Sequence, residues 1–321
     1  MLPAPIASDQ AMHIPDGFLS ISVSIIFWII SIIVIGIALK KTSRLLGERQ
    51  VPLMGVLAAA IFAGQMLNFS VTGGTSGHLL GAAIATILLG PWPAVLVMTS
   101  VVSVQAILFQ DGGVLALGTN IFNMAIIGVF VSYAVYTLVN KLIRNIFVSG
   151  FLAAWSSIFL ASLACALELA LSGTSPANIA VPAMAAIHVL IGIGEGLITI
   201  GALTLIYASR KDLLVADASN VGSDKGILIG GSILALVLAI LSPLASSHPD
   251  GLEWVAEQKG FLDAAKDSVY TIIPDYTMPG ISNTTLATVI AGIIGTVIVF
   301  GISFGVAHAE KKVKKQREIS R

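Results

Sequence analysis

The stretch that decides the fold is ISVSIIFWIISIIVIGIAL, which occupies residues 21–39 and contains no charged side chain. At about 1.5 Å per residue, a helix of this length spans roughly 28 Å, close to the hydrocarbon thickness of a bilayer. Further apolar runs lie near residues 52–68, 78–89, 91–110, 118–139, 150–172, 180–208, 227–244 and 286–307. The sequence therefore predicts an all-α polytopic membrane protein with about nine transmembrane helices.

Composition supports a membrane protein and excludes several functions. The chain is 56% hydrophobic and only 11% charged, whereas soluble domains contain about 25% charged residues. The net charge of zero gives no reason to expect nucleic-acid binding. The sequence contains neither the phosphate-binding pattern G-x-x-x-x-G-K-[ST] nor the zinc-protease pattern H-E-x-x-H. We therefore expect that this chain binds no ATP and is not an enzyme.

The basic residues predict the orientation, because Lys and Arg concentrate on the inner side of a membrane. With nine spans and the N-terminus outside, only Lys259 and Lys266 lie outside, both in one long loop. The inner segments then hold Lys40, Lys41, Arg44, Arg49, Lys141, Arg144, Arg210, Lys211, Lys225, Lys311, Lys312, Lys314, Lys315, Arg317 and Arg321. The N-terminus is thus predicted outside and the C-terminus inside.

The third apolar run, residues 78–89, is too short to cross the membrane. At about 1.5 Å per residue it would span roughly 18 Å of a core of about 30 Å. A half-helix of this kind leaves irregular backbone at membrane depth, which is tolerated only where protein or a cavity surrounds it. Residues 69–78, FSVTGGTSGH, are therefore a candidate lining for a site.

The most informative chemical pattern is Met12-His13-Ile14-Pro15-Asp16-Gly17. If Met12 were the first residue, its amine, the backbone nitrogen of His13 and the His13 imidazole could chelate one ion in five- and six-membered rings. His78 could add a fourth nitrogen. Four nitrogens in a plane suit Ni(II) or Cu(II). This pattern predicts a metal site formed by Met12, His13 and His78.

Both histidines also have a structural interpretation. His13 could lie in an exposed outer tail, and His78 could begin a helix capped by Ser76 or Thr75. In addition, the numbered sequence begins at Met1, so the amine ligand requires a start at Met12 or cleavage after Ala11. Residues 1–11 lack the basic and apolar regions of a signal peptide, which favours a mis-assigned start.

Other polar residues within the apolar runs are candidates for supporting the site. His188 and Glu195 are seven residues apart, about two helical turns, and share a helix face. An ionisable residue within a span is a functional candidate, although Glu195 could equally hydrogen-bond two helices together. The amides of Asn68 and Asn120 are expected to bond between helices or to support the loop before His78, together with Ser76.

The chain divides into two parts. Residues 1–11 are an extension or a mis-assigned start, and residues 12–212 hold seven predicted spans. A polar linker at residues 213–225 is predicted inside, and residues 226–321 hold two spans around a long outer loop. That loop contains Pro249-Asp250-Gly251-Leu252-Glu253-Trp254, in which a turn precedes a short amphipathic helix.

These motifs together resemble the cobalt/nickel energy-coupling factor transporters. The first three resemble the substrate-capturing membrane component: Met12 to Gly17, NFSVTGGTSGHLLGAA at 68–83 and GTNIFNMAIIG at 118–128. The Pro249–Trp254 motif resembles the small auxiliary component, which is fused here behind the first. Residues 12–212 are called the capture part below, and residues 226–321 are called the auxiliary part. The resemblance covers nearly the whole chain.

The resemblance implies a helical fold with the N-terminal segment inserted into the bundle, located in a prokaryotic inner membrane. It implies that Met12, His13 and His78 bind Ni(II) or Co(II) as the transported substrate. The expected partners are a transmembrane coupling protein and two ATPase subunits. The fusion of the two components and the Ile-Pro-Asp-Gly motif favour nickel as the transported substrate. An alternative is a self-sufficient metal transporter that is coupled to protons through Glu195.

Overall fold

The computed structural model of the chain describes residues 13–47, 49–214 and 224–319. Strands β1 (Phe69–Val71) and β2 (Thr75–Gly77) form an antiparallel hairpin. The helices are α1 (Ile21–Leu45), α2 (Gln50–Gln65), α3 (Ala82–Leu89), α4 (Pro91–Leu108), α5 (Leu117–Ile143), α6 (Ile146–Leu171), α7 (Ala177–Ser209), α8 (Asp224–Leu241), α9 (Gly251–Lys259) and α10 (Thr284–Ile319). The all-α prediction is confirmed, with this small hairpin as its one departure among the described residues.

Seven helices in the described ranges are long and apolar enough to cross a membrane, which confirms a multi-pass membrane protein. The seven are α1, α4, α5, α6, α7, α8 and α10. Each of the nine apolar runs contains a helix, but α2 and α3 are shorter than the rest. The total of nine spans and the orientation of the termini stay predictions.

Helix α2 forms the centre of the bundle, and nearly all of its side chains are buried. The C-terminal helices α8 and α10 pack directly against it. The Ser303 hydroxyl donates a hydrogen bond to the carbonyl oxygen of Met54 at 3.2 Å. Gly55 lies so close to α10 that a Cβ atom added there would be 3.0 Å from the Phe300 ring. The C-terminal part is therefore packed into the same core as the N-terminal part.

The third apolar run forms the short helix α3, bounded by two glycines in the left-handed region. Gly81 has φ of 80° and Gly90 has φ of 78°, conformations that L-residues with a Cβ rarely adopt. Pro91 then starts α4, because its fixed φ suits the first helical position. A half-helix was predicted from residue 78, but α3 begins only at Ala82 since the preceding hairpin carries the chain to that point.

The long loop between α8 and α10, which the sequence predicts to lie outside and which is called the outer loop below, lies over the N-terminal segment. The amide of Lys266 donates a hydrogen bond to the carbonyl oxygen of Asp16 at 2.7 Å, and the Phe261 ring packs edge-on against Phe18 at 5.3 Å. Farther along the loop, the amide of Ile273 donates to the carbonyl oxygen of Leu108 at 3.0 Å. This loop therefore covers the residues that follow His13.

Candidate metal-capture site

His13 is buried, and its two ring nitrogens have different surroundings. The Nδ1 atom lies 3.0 Å from Oδ1 of Asp111 and 3.3 Å from the carbonyl oxygen of the same residue. The Nε2 atom is also buried, and no hydrogen-bond partner for it occurs within the described ranges. His13 therefore presents one satisfied nitrogen to Asp111 and one unsatisfied nitrogen to the interior.

The segment that carries His13 is held in the bundle by Asn120. The side-chain oxygen of Asn120 accepts the amide of Ile14 at 3.1 Å, and its amide nitrogen donates to the carbonyl oxygen of Ile14 at 3.1 Å. Asn120 lies just before Ile121–Ile127, where α5 widens into a π-helical turn, a distortion that is frequent at functional sites. Asp16 accepts the amide of Ala116 at 3.0 Å. These bonds insert the N-terminal segment into the bundle, as predicted.

The β-hairpin brings His78 to His13 although the two are far apart in sequence. The ring centroids are 5.6 Å apart, and the rings meet edge-on at 73°. Nδ1 of His78 lies 3.1 Å from the carbonyl oxygen of Leu79. A proton on that nitrogen would place the lone pair of the neutral ring on Nε2. The two predicted histidine ligands therefore lie side by side.

Ser76 and Thr75 do not cap a helix, contrary to the structural interpretation of His78. Both residues lie in β2, since α3 begins only at Ala82. The Ser76 hydroxyl donates to the carbonyl oxygen of His248 at 2.9 Å, and the Thr75 hydroxyl donates to that of Pro249 at 3.0 Å. Both side chains therefore tie the hairpin to the outer loop of the auxiliary part.

Glu195 fixes the backbone that follows His78. Its two carboxylate oxygens accept the amides of Leu80 at 2.7 Å and Gly81 at 3.1 Å. The Gln65 side chain donates to the carbonyl oxygen of Leu80 at 2.9 Å. Glu195 is completely buried, and these bonds account for both of its oxygens. It therefore acts as an anchor for the loop between His78 and α3.

A cavity of about 90 Å³ opens beside the two histidines. His188, on α7, also borders it, and its Nδ1 lies 2.8 Å from the carbonyl oxygen of Met184. Asp250 of the auxiliary part borders the same cavity. Asn68 does not border it and instead meets the outer loop, where its carbonyl oxygen accepts the amide of Ser246 at 2.8 Å. Three imidazoles and one carboxylate therefore share a single cavity.

Two residues that sequence reasoning missed control the Nδ1 side of His13. The Tyr276 hydroxyl donates a short hydrogen bond to Oδ2 of Asp111, whose other oxygen faces His13. Tyr276 belongs to the outer loop of the auxiliary part and stacks on Phe109 at 4.8 Å. Asp111 precedes two glycines after an apolar run, which indicates only a turn. Nothing in the local sequence reveals either long-range pairing.

The charges of His13 and Asp111 stabilise each other. Burial by itself lowers the pKa of His13, because it disfavours the imidazolium, but the Asp111 carboxylate outweighs this and the pKa lies above its ordinary value. Burial likewise favours a higher pKa for Asp111, but His13 and the Tyr276 hydroxyl outweigh it and the pKa is lowered. A metal ion that binds Nδ1 must therefore displace the His13 proton that the Asp111 carboxylate stabilises.

The described side chains alone do not form a complete metal site. In the ranges that the structure covers, no group of three or more His, Cys, Asp or Glu side chains is arranged to hold an ion. Met12 lies outside the described residues, so the structure does not place its amine. The two imidazoles could supply two nitrogens, and the predicted ligand set would take the others from the His13 backbone and the Met12 amine.

The sequence matches two known protein families. Residues 13–213 match the family described as "Cobalt uptake substrate-specific transmembrane region", and residues 225–312 match the "PDGLE domain". The two matches follow one another along the chain, in the order of the capture part and the auxiliary part.

Relatives with the same arrangement are named as nickel transport proteins. The putative fused nickel transport protein NikMN of Archaeoglobus fulgidus is 39% identical over 92% of this chain and 98% of its own length. The fused nickel transport protein NikMN of Rhodobacter capsulatus is 32% identical over 77% of this chain and 76% of its own length. The cobalt transport protein CbiM of Sorangium cellulosum is 32% identical over 63% of this chain and 94% of its own length.

A solved structure shares the fold of the capture part. The crystal structure of a truncated transition metal transporter is 36% identical in sequence, with a TM-score of 0.56. The likeness covers 62% of this chain and 99% of the crystallised chain. Over the matched length, this chain thus shares its helical fold with a transition metal transporter.

Proposed function

The chain belongs to the family of cobalt uptake substrate-specific transmembrane proteins, here fused to a PDGLE domain, and on that premise we propose that it captures Ni(II) or Co(II) for an ATP-driven energy-coupling factor system. Its relatives are transport proteins and not enzymes. The observation that carries the proposal is the 5.6 Å approach of the His13 and His78 rings beside a cavity. The ion is taken from the outside and released inward.

The proposed ligands are the amine of Met12, the backbone nitrogen and imidazole of His13, and His78. The six-membered ring of this chelate closes through Nδ1 of His13. Because Nδ1 faces Asp111 in the structure, binding exchanges that contact for a bond to the ion. The proximity of His78 and the clamp of Asn120 on Ile14 support this arrangement.

Nickel is the favoured substrate. A planar set of nitrogens that includes a deprotonated amide suits Ni(II) better than Co(II). The relatives that share both parts of this chain are named for nickel, whereas a relative that covers only the capture part is named for cobalt. Both arguments point to nickel, with cobalt as the second substrate.

The energy for transport comes from partner subunits. The chain contains no G-x-x-x-x-G-K-[ST] pattern with which to bind ATP. Its family works within multi-subunit transport systems. The proposed partners are a transmembrane coupling protein and two ATPases, which drive the rearrangement that releases the ion inward.

The test is nickel uptake by cells that produce this chain together with its coupling protein and ATPases. His13→Ala and His78→Ala should each abolish uptake, because each removes one ligand nitrogen. His248→Ala is the matched control, since this exposed histidine contributes only its backbone carbonyl to the hairpin contact. The amount of each variant in the membrane is measured in the same cells.

Two results would overturn parts of the proposal. Normal uptake in both His13→Ala and His78→Ala would refute the ligand assignment. Uptake by this chain in cells that lack the ATPases, abolished by an uncoupler, would refute the coupling to ATP and favour proton coupling.

A further inference from the structure

We propose that the cavity beside His13 and His78 also binds a soft monovalent cation, of the class of Cu(I) and Ag(I), through the Cys165 sulfur. Two thioethers and the Nε2 atom of His13 complete this second position. The soft ion occupies the imidazole ring that nickel needs and therefore blocks the capture of nickel. That last step rests on the proposed function, whereas the binding of the soft ion does not.

Sulfur reaches the cavity from three different helices. Met124 belongs to α5, Cys165 to α6 and Met184 to α7, and all three line the same cavity. Their exposed fractions are 5%, 6% and 2%, respectively. Thiolate and thioether sulfur are the ligands that select Cu(I) over harder ions. The cavity therefore offers soft ligands next to the nitrogen ligands that are proposed for nickel.

A hydrogen bond fixes α5 against α6 at the level of two of these residues. The Asn123 amide nitrogen donates to Oε2 of Glu168 at 2.7 Å. Asn123 precedes Met124 within the π-helical turn Ile121–Ile127, a distortion that is frequent at functional sites. Glu168 follows Cys165 by three residues on α6, and residues at this spacing share a helix face. Met124 and Cys165 are therefore held on neighbouring turns of facing helices.

The His13 ring is arranged to bind an ion in this cavity through Nε2. Its Nδ1 lies 3.0 Å from Oδ1 of Asp111, and a proton on Nδ1 places the lone pair of the neutral ring on Nε2. Nε2 is buried without a hydrogen-bond partner among the described residues, and His13 lines the cavity. An imidazole that binds a metal commonly donates its other N–H to a carboxylate in this way. The observed arrangement thus suits an ion at Nε2, whereas the nickel chelate requires Nδ1.

The ligands in the cavity wall discriminate between soft ions. Zn(II) also binds Cys and His, but it takes a tetrahedral set of Cys, His and carboxylate ligands. Within the described ranges, no cluster of three or more His, Cys, Asp or Glu side chains could provide such a set. Cu(I) and Ag(I) accept thioether sulfur and need fewer ligands. One thiolate, one imidazole and two thioethers therefore suit a monovalent soft ion better than Zn(II).

Apolar packing does not by itself account for this cavity wall. Met and Cys side chains often fill hydrophobic cores, where no polar partner is needed. This cavity is also lined by His13 and Asn123, whose Nε2 and Oδ1 atoms are buried without hydrogen-bond partners among the described residues. Unsatisfied buried atoms require an explanation, and a bound ion is one such explanation.

A soft ion at this position excludes the proposed nickel chelate. Its binding releases the thiol proton of Cys165 to the solvent, together with any proton on Nε2 of His13. To close the chelate, the same ring would then have to lose its Nδ1 proton and become an imidazolate between two cations. The Asp111 carboxylate stabilises that Nδ1 proton. We therefore expect Ag⁺ and Cu⁺ to inhibit the binding of Ni²⁺.

The experiment measures Ag⁺ binding to the purified full-length chain in detergent, in a chloride-free buffer without added thiols. Equilibrium dialysis with detection of silver by mass spectrometry gives the amount bound. The wild type should bind Ag⁺ tightly. Cys165→Ser keeps the shape of the side chain but removes the soft ligand, and it should lose this binding. X-ray absorption at the silver edge should show sulfur next to the ion in the wild type.

Two methionine variants form a matched pair. Met184→Leu removes sulfur from the cavity wall and should weaken Ag⁺ binding, although less than Cys165→Ser does. Met98→Leu is the control, because Met98 is also buried but does not line the cavity, and it should bind Ag⁺ as the wild type does. Cys165→Ser should still bind Ni²⁺, and Ag⁺ should no longer inhibit that binding.

Wild-type Ag⁺ binding by Cys165→Ser, or a silver spectrum without sulfur ligands, would overturn this inference and leave the proposed nickel site intact. Independent binding of Ag⁺ and Ni²⁺ to the wild type would overturn the competition through His13. Absence of Ni²⁺ binding to a wild-type chain that still binds Ag⁺ through Cys165 would overturn the proposed function alone.

Discussion

Glu195 could act either as a proton carrier or as an anchor for the backbone, and the hydrogen bonds of its two oxygens distinguish these roles. As a proton carrier it would need to gain and lose a proton during transport. In the structure both of its oxygens accept backbone amides, from Leu80 and Gly81. A carboxylate that receives two such bonds is an anchor for the backbone after His78, which is the structural interpretation considered from the sequence.

Glu195→Gln distinguishes the two roles. The variant replaces one accepting oxygen by an NH₂ group that faces another donor, so one buried amide loses its partner. We expect a cost of about 1–3 kcal/mol in the free energy of unfolding, seen as a lower midpoint of thermal unfolding in detergent. ATP-dependent nickel uptake per folded molecule should persist. A stable Glu195→Gln protein that takes up no nickel would instead support proton coupling.

Residue chemistry allowed part of the site to be predicted. His13 and His78 were paired from their chelating potential, and the structure brings their rings together, although their role as ligands stays a prediction. Asp111 and Tyr276 were not foreseen, because their partners lie far away in sequence and depend on how the outer loop folds. Met12 and the extension at residues 1–11 lie outside the described residues.

At the scale of single elements, the outer loop of the auxiliary part contacts the capture part through Tyr276. Its hydroxyl donates to Asp111, which in turn faces His13. This chain of contacts connects the auxiliary part to His13, a proposed ligand. The conformation of the loop therefore affects the surroundings of His13 in the capture part.

Tyr276→Phe should destabilise the protein, because it leaves a buried carboxylate oxygen of Asp111 without this donor. We expect a loss of about 1–3 kcal/mol in the free energy of unfolding, measured as a lower midpoint of thermal unfolding. Tyr270→Phe, in the same loop, is the control, since no hydrogen bond of the Tyr270 hydroxyl occurs among the described residues. Equal midpoints for the two variants would show that the Asp111 contact adds no stability.

Helix α9 gives a prediction about pH. Burial raises the pKa of the Glu253 carboxyl to about 7, and the neighbouring Glu257 carboxyl adds to this shift. The unfolded value is about 4.3, so ionisation between these two values disfavours the folded state. Wild-type stability should therefore fall as the pH rises from about 4.3 to about 7 through this group.

Glu253→Gln cannot ionise and should lack this loss. The unfolding temperature of Glu253→Gln, minus that of the wild type, should therefore be larger at pH 8 than at pH 5. Taking the difference at each pH removes the contributions of the other titrating groups. A difference that is constant over this range would show that Glu253 titrates as it does in the unfolded chain.

Elements were predicted with uneven success, for physical reasons. The short amphipathic helix after Pro249 was foreseen from its turn chemistry and is present as α9. The shortness of the third run was also foreseen, but its first residues, 78–81, form a loop after strand β2 rather than a helix. Hydropathy does not reveal that hairpin, because its stability depends on hydrogen bonds to the distant Pro249 and His248.

At the scale of the whole molecule, hydropathy predicted the all-α multi-pass architecture because long apolar helices are the main way for a chain to satisfy its backbone in lipid. It did not predict that α8 and α10 pack around α2 in the same core as the capture part. Close approaches such as Gly55 against Phe300 decide that packing, and a single sequence does not reveal such distant pairs. The two parts are thus joined by packing in one core as well as by one polypeptide chain.

The central claim is that one ion is held by a chelate that begins at Met12 and includes His13 and His78. The most direct test is the intact mass of the chain, with its metal retained, purified from membranes of cells grown with nickel. We predict a chain that begins at Met12 and carries one nickel ion, and a His78→Ala chain of the same start that carries none. A chain that begins at Met1 and still holds nickel would contradict the proposed ligand set.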